Sequence, residues 1–152
     1  MSSLLKDITT NLQPRLFAYL CENGAYAFYD ISSPVLRQLP ASFIGLPVAN
    51  LGQVQIAEIL KAFLAGADGI LIAGCETCQR QAGHSASEHQ FSEIVQALHN
   101  YAIDPRRVRR EWIAAHEAEK FLRVVDEMME SLRHLPPLQL PAGLSKNLSY
   151  CG

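Results

Sequence analysis

Four short apolar runs alternate with amphipathic segments along the chain. Leu16-Phe17-Ala18-Tyr19-Leu20 is apolar on both alternating faces, as a central strand of a parallel sheet must be. Phe43 to Val48 reads as a second strand, and Pro47 near its end predicts an edge position, because proline cannot donate to a ladder. Gly69-Ile70-Leu71-Ile72-Ala73-Gly74 is the clearest strand, and Val108 to Ile113 is the fourth. Between them, Gln53 to Leu64 places Ile56, Ile59, Leu60, Phe63 and Leu64 at helical spacing, with Gly66 as the stop. Phe91 to Tyr101 predicts a helix with Ile94, Val95 and Leu98 inward, and Asp104-Pro105 a turn. Glu117 to Leu135 predicts a long helix with Phe121, Val124, Val125, Met128, Leu132 and Leu135 on one face. Ala25 to Leu39 reads as loop and short helix, with Pro34 in a serine-capped first turn. Residues 76–88, with Gly83 and several serines, are expected to form a functional loop. The succession predicts an α/β fold: an open, mostly parallel four-stranded sheet with helices on both faces, flavodoxin-like or Rossmann-like.

This pattern sets the organisation. Residues 1–14 are expected to be a leader ending at Pro14, whose Leu4, Leu5 and Ile8 could form one helical turn against a partner. Residues 15–135 form one α/β domain, and the proline-rich 136–152 an extended arm. The 152 residues fit a single domain, and 49% hydrophobic content is enough for a core. A formal charge of −2 supplies no global field toward nucleic acid or anionic membrane. No apolar run approaches the roughly 20 residues of a membrane span, and the first residues carry no secretory h-region. Four cysteines without an export signal point to a reducing, cytoplasmic setting, where thiols serve as ligands or redox groups.

The run Arg106-Arg107-Val108-Arg109-Arg110 is split between two faces by strand alternation and has Glu111, Glu117 and Glu119 nearby. It lacks interleaved aromatics, so it reads as a solvated or partner-facing surface and not a nucleic-acid stripe. There is no phosphate-cradling glycine motif and no Ser/His/Asp set. His116 precedes the last helix, where a capping or dipole role suits it.

Candidate chemistry lies with cysteine. Cys21 follows the first predicted strand, and Cys75 and Cys78 follow the third. Ligands of open α/β sheets collect outside the carboxyl ends of strands, so these thiols can share one crevice. Thiolates suit iron–sulfur clusters and zinc. The Cys75-x-x-Cys78 spacing also suits a dithiol redox site, and buried cysteines can be plain small hydrophobes. Candidates for a fourth ligand are Cys151 and His84.

Three stretches, FAYLCENGAYAFYD, PVANLGQVQIAEILKAFLAGADGILIAGCETC and IDPRRVRREWIAAHEAEKF, resemble the delta subunit of methyl-viologen-reducing hydrogenase, colinearly over about residues 15–135. This iron–sulfur family also occurs fused to or beside heterodisulfide-reductase-like proteins. The resemblance implies a [2Fe–2S] cluster and electron transfer between a hydrogenase or other dehydrogenase module and a heterodisulfide-reductase-like flavoprotein. It matches Cys21 to the first cysteine of the family's N-terminal pair, Cys75 to the cysteine after the apolar strand, and Cys78 to the next, usually more widely spaced. Gly24 and Asn50 stand where the family has further cysteines, which adds Asn50 to the fourth-ligand candidates, although asparagine is the poorest of them for iron. Three functions follow: an electron carrier, a cluster-free adaptor of the same complex, and a dithiol or zinc protein. None makes the chain catalytic alone, because it carries no acid–base machinery.

Overall fold

The computed structural model describes residues 13–82 and 84–144, without the side chains of 81–87. The elements run β1 (Leu16–Cys21), β2 (Phe43–Val48), α1 (Ile56–Leu64), β3 (Gly69–Gly74), α2 (Glu76–Ala82), α3 (His84–Asn100), β4 (Val108–Trp112) and α4 (Ala118–Arg133). Short 3-10 turns at Ala25–Tyr29, Leu36–Gln38, Leu51–Gln53 and Pro105–Arg107 fill the connections. The predicted leader lies almost wholly outside the described residues, as do Leu4, Leu5 and Ile8.

The four strands form one parallel sheet in the order β2-β1-β3-β4. Strand β2 is the edge that Pro47 predicts. Side-chain alternation builds two cores. On one face, Leu16, Ala18 and Leu20 of β1 join Leu71 and Ala73 of β3 under α4, whose Phe121, Val124, Val125, Met128, Met129 and Leu132 are buried. On the other face, Cys21, Ile70 and Ile72 meet Ile59, Leu60 and Phe63 of α1 and Ile94 and Leu98 of α3. Leu144, with partly buried Leu138 and Leu140, also packs there, so the described start of the C-terminal stretch lies against the domain.

Most predicted elements hold, and the departures are physical. Helix α1 begins at Ile56 after a 3-10 turn, and Leu64 is 40% exposed, beyond its apolar stripe. Gly66 ends the helix with φ +111, a left-handed conformation that glycine adopts without penalty. Residues 76–88 are helical on both sides of Gly83 instead of forming a loop. Cys78 anchors α2 from its inner face, so burial of a few residues overrides the weak local propensity.

The arginine run is engaged within the fold. The Arg107 guanidinium is buried and donates to the carbonyls of Asp68, at 2.9 Å, and Pro136. Arg106 pairs with Asp104 at 2.7 Å, and Arg109 pairs with Glu111 and Glu127, each at 2.8 Å. Arg110 pairs with Glu88 and lies over the rings of Phe91 and Trp112. No helix among the described residues is long and apolar enough to cross a membrane.

Candidate metal centre

The strand order fixes where a site can form. From β1 the chain moves outward to β2, then returns across to β3 and continues the other way to β4. The connections leaving β1 and β3 therefore diverge, and the carboxyl ends of these two neighbouring strands are the switch point where open α/β sheets gather their ligands. Cys21 is the last residue of β1, and Cys75 directly follows β3. Cys75 takes the N-cap position of α2, since its carbonyl accepts the first helical bond from the Gln79 N–H at 3.1 Å. Cys78 lies three residues on, the spacing that brings a helical side chain back to the same face.

The three sulfurs form a nearly equilateral triangle. Cys21 Sγ is 3.5 Å from Cys75 Sγ and 3.4 Å from Cys78 Sγ, and Cys75 Sγ is 3.6 Å from Cys78 Sγ. All three residues are buried and free, at separations far beyond the ~2.05 Å of a disulfide. Among the described residues, no other His, Cys, Asp or Glu joins the group.

The environment treats the thiols differently. Burial pushes the Cys21 thiol up to about 12, and its bonds to Cys78 and Cys75 act in the same direction. At Cys75, burial also opposes the thiolate, but bonds from the Cys78 backbone N–H, from the Cys21 and Cys78 side chains and from the Thr77 N–H outweigh it. Cys75 is therefore held below the ordinary thiol range. Backbone donors at the start of α2 make Cys75 the natural first anion of the set.

Gly24 closes the site from below, a role that strand and helix patterns do not reveal. Its N–H donates to the Cys21 carbonyl at 2.9 Å, and it bridges to Ala114 beyond β4. A Cβ at position 24 would lie 2.8 Å from the Ile113 carbonyl oxygen and 3.1 Å from Cys75 Cβ. Position 24 thus sits against the triad. The Cys21-x-x-Gly24 spacing, repeating that of Cys75-x-x-Cys78, was the sequence signal for this proximity. Of the fourth-ligand candidates, Asn50 is exposed, with its side-chain oxygen beside Gly52. The His84 side chain and all of Cys151 lie outside the described residues.

This donor set can hold a soft metal. A [2Fe–2S] cluster takes four cysteine ligands, two on each of two irons. The described residues bring together three, and the closed triangle directs all three at one centre. By themselves they do not fit that cluster.

Comparison with known proteins places the chain in a family. A family model described as methyl-viologen-reducing hydrogenase, delta subunit, matches residues 16–136. The iron-sulfur subunit of the F420-non-reducing hydrogenase vhc of Methanococcus voltae is 29% identical, covering 90% of this chain and 96% of that protein. Its vhu counterpart from Methanopyrus kandleri, also named an iron-sulfur subunit, is 30% identical, covering 80% of this chain and 93% of its own length. A component of the Ferredoxin/F(420)H(2)-dependent CoB-CoM heterodisulfide reductase of Methanosarcina acetivorans is 27% identical over 82% of this chain but only 16% of its own length. The chain belongs to the methyl-viologen-reducing hydrogenase delta subunit family.

Proposed function

We propose that this member of the delta subunit family is a cytoplasmic subunit of a redox complex, seated between a hydrogenase or other dehydrogenase module and a heterodisulfide-reductase-like flavoprotein. The triad of Cys21, Cys75 and Cys78 is its metal centre. The observation that carries this reading is the convergence of three buried thiols, one of them more than fifty residues from the other two in sequence, at the switch point of the sheet. Relatives named as hydrogenase iron-sulfur subunits and as part of a heterodisulfide reductase support the same setting. When the site holds iron, the subunit carries electrons between its partners. A [2Fe–2S] form would need a fourth ligand from outside the described residues, with Cys151 and His84 as the candidates this sequence offers.

Gly24 favours a second reading, in which the protein is an adaptor that keeps the fold without carrying electrons. The resemblance aligns position 24 with a cysteine, and here it is filled by a glycine packed too closely for any side chain.

The test is anaerobic isolation of the native complex, followed by electron paramagnetic resonance after reduction. A signal that disappears in Cys75→Ser while the complex stays assembled supports the carrier. An assembled complex with no signal from this protein supports the adaptor. Isolation of the chain without any redox partner would overturn both.

A further inference from the structure

We propose that the triad holds a single thiophilic divalent ion, zinc ahead of ferrous iron, in a three-thiolate site whose fourth position lies outside the set of Cys21, Cys75 and Cys78. This rests on the reading of the triad as a metal centre and specifies what that centre takes.

The geometry points to one ion. The three sulfur separations of 3.4, 3.5 and 3.6 Å differ little from one another. A triangle of that size places every corner ~2.3 Å from a point ~1.1 Å off its plane, which is the zinc–sulfur bond length. The resulting S–metal–S angle is roughly 100°, and opening each edge by about 0.3 Å would bring it to the tetrahedral value. Two irons joined by sulfides would sort the thiolates differently. Those on different irons must lie farther apart than those on the same iron, so two long edges and one short edge would be expected. No edge of this triangle is long.

The surrounding chain argues against a fourth thiolate from the turn after β1. Gly24 is the position beside Cys75, and its contact with the Ile113 carbonyl leaves no room for a side chain there. The donor set selects the metal class. Soft thiolates prefer zinc and iron among the common divalent ions, and the intrinsic order of affinity puts zinc above ferrous iron. Zinc in the site would give a structural clamp between β1 and α2 and favour the adaptor reading. Ferrous iron would keep the protein redox-active. Binding would release protons from the thiols. No electron transfer is involved in binding either ion.

The experiment uses the full chain, purified anaerobically, with metal and acid-labile sulfide measured per chain. The metal-free protein is then titrated with cobalt(II) alone and back-titrated with zinc. The expected result is one cobalt per chain with a thiolate charge-transfer band, displaced by one equivalent of zinc. Cys21→Ser, Cys75→Ser and Cys78→Ser should each weaken binding by more than the roughly 10–100-fold that loss of an outer-shell partner costs. X-ray absorption at the zinc edge of the unmutated protein needs no variant to fold. Three or four sulfur neighbours at ~2.3 Å with no nearby metal atom would uphold the proposal. Two irons and two sulfides per chain would overturn the single ion while leaving the redox metal centre intact. Two or fewer sulfur neighbours would overturn the three-thiolate site. A folded protein that takes up no metal would overturn both.

Discussion

Gly24 has space for a hydrogen and nothing larger, and the nearest obstacle is a backbone oxygen that cannot rotate away. The constraint is one of contact, with the Ile113 carbonyl oxygen and Cys75 Cβ standing where a side chain would begin. Gly24→Ala must push a methyl group against the Ile113 carbonyl and Cys75 Cβ, and overpacking of this kind costs about 1–3 kcal/mol. A lower urea midpoint with an unchanged slope would show this, and an unaltered midpoint would mean that the two connections part easily. The three thiols were legible in the sequence because Cys21 ends one apolar run and Cys75 and Cys78 come just after another. The spacing from Cys21 signalled that Gly24 is near them, but not its contact with the Ile113 carbonyl, which lies almost ninety residues away. Asp104 is a second local device. Its carboxylate pairs with the Arg106 guanidinium and accepts from the Arg106 backbone N–H at 2.9 Å, which together hold its pKa down at about 2. Because the folded value is depressed, the stability it adds is present above the ordinary carboxylate value of ~3.9 and fades as pH falls toward about 2. Asp104→Ala removes the cap and should cost about 1 kcal/mol at pH 7. The gap between the two proteins in urea should shrink below pH 4, and a gap independent of pH would separate capping from charge.

At the scale of elements, the strands were readable because each is an unbroken apolar run of strand length with turn residues around it. The segment that misled is 76–88. Its serines and Gly83 argue for a loop, yet α2 and α3 form because Cys78, Ile94 and Leu98 bury one side. Gln90 also ties α3 to the turn before α1, donating to the Leu51 and Val54 carbonyls at 3.3 and 3.0 Å. Such cross-element bonds leave no local period to read. Helix α4 is the opposite case, with an apolar stripe evident from spacing alone. Its Phe121 is fully buried, stacked on Phe28 at 5.3 Å between ring centroids and edge-on to Phe43 at 5.9 Å. This cluster joins α4, β2 and the turn after β1. Phe121→Ala should therefore destabilise by about 3–5 kcal/mol, near the upper end if the two remaining rings cannot collapse into the space. Equilibrium unfolding would measure the loss. A cost under about 1 kcal/mol would mean that α4 contributes little to this core.

The whole molecule couples these scales through its topology. The order β2-β1-β3-β4 puts the end of β1 beside the start of α2, so an occupant of the triad would staple segments more than fifty residues apart. Sequence alone carried the fold class and the three thiols, but the distances among them required the register of β1 on β3, in which Leu20 faces Ala73. An ion bound only by the folded chain raises stability by mass action, about 2.7 kcal/mol at a free concentration 100 times its dissociation constant. For a domain of this size that corresponds to an increase in Tm of roughly 5–10 °C. Thermal unfolding of the full chain, metal-free and with excess zinc under reducing conditions, should show this rise. A chelator should reverse it, and Cys21→Ser should abolish it even though Cys75 and Cys78 remain. If Cys21→Ser kept the full increase, the stabilising site would be the Cys75–Cys78 pair alone, and β1 would owe its place to apolar packing without any contribution from metal.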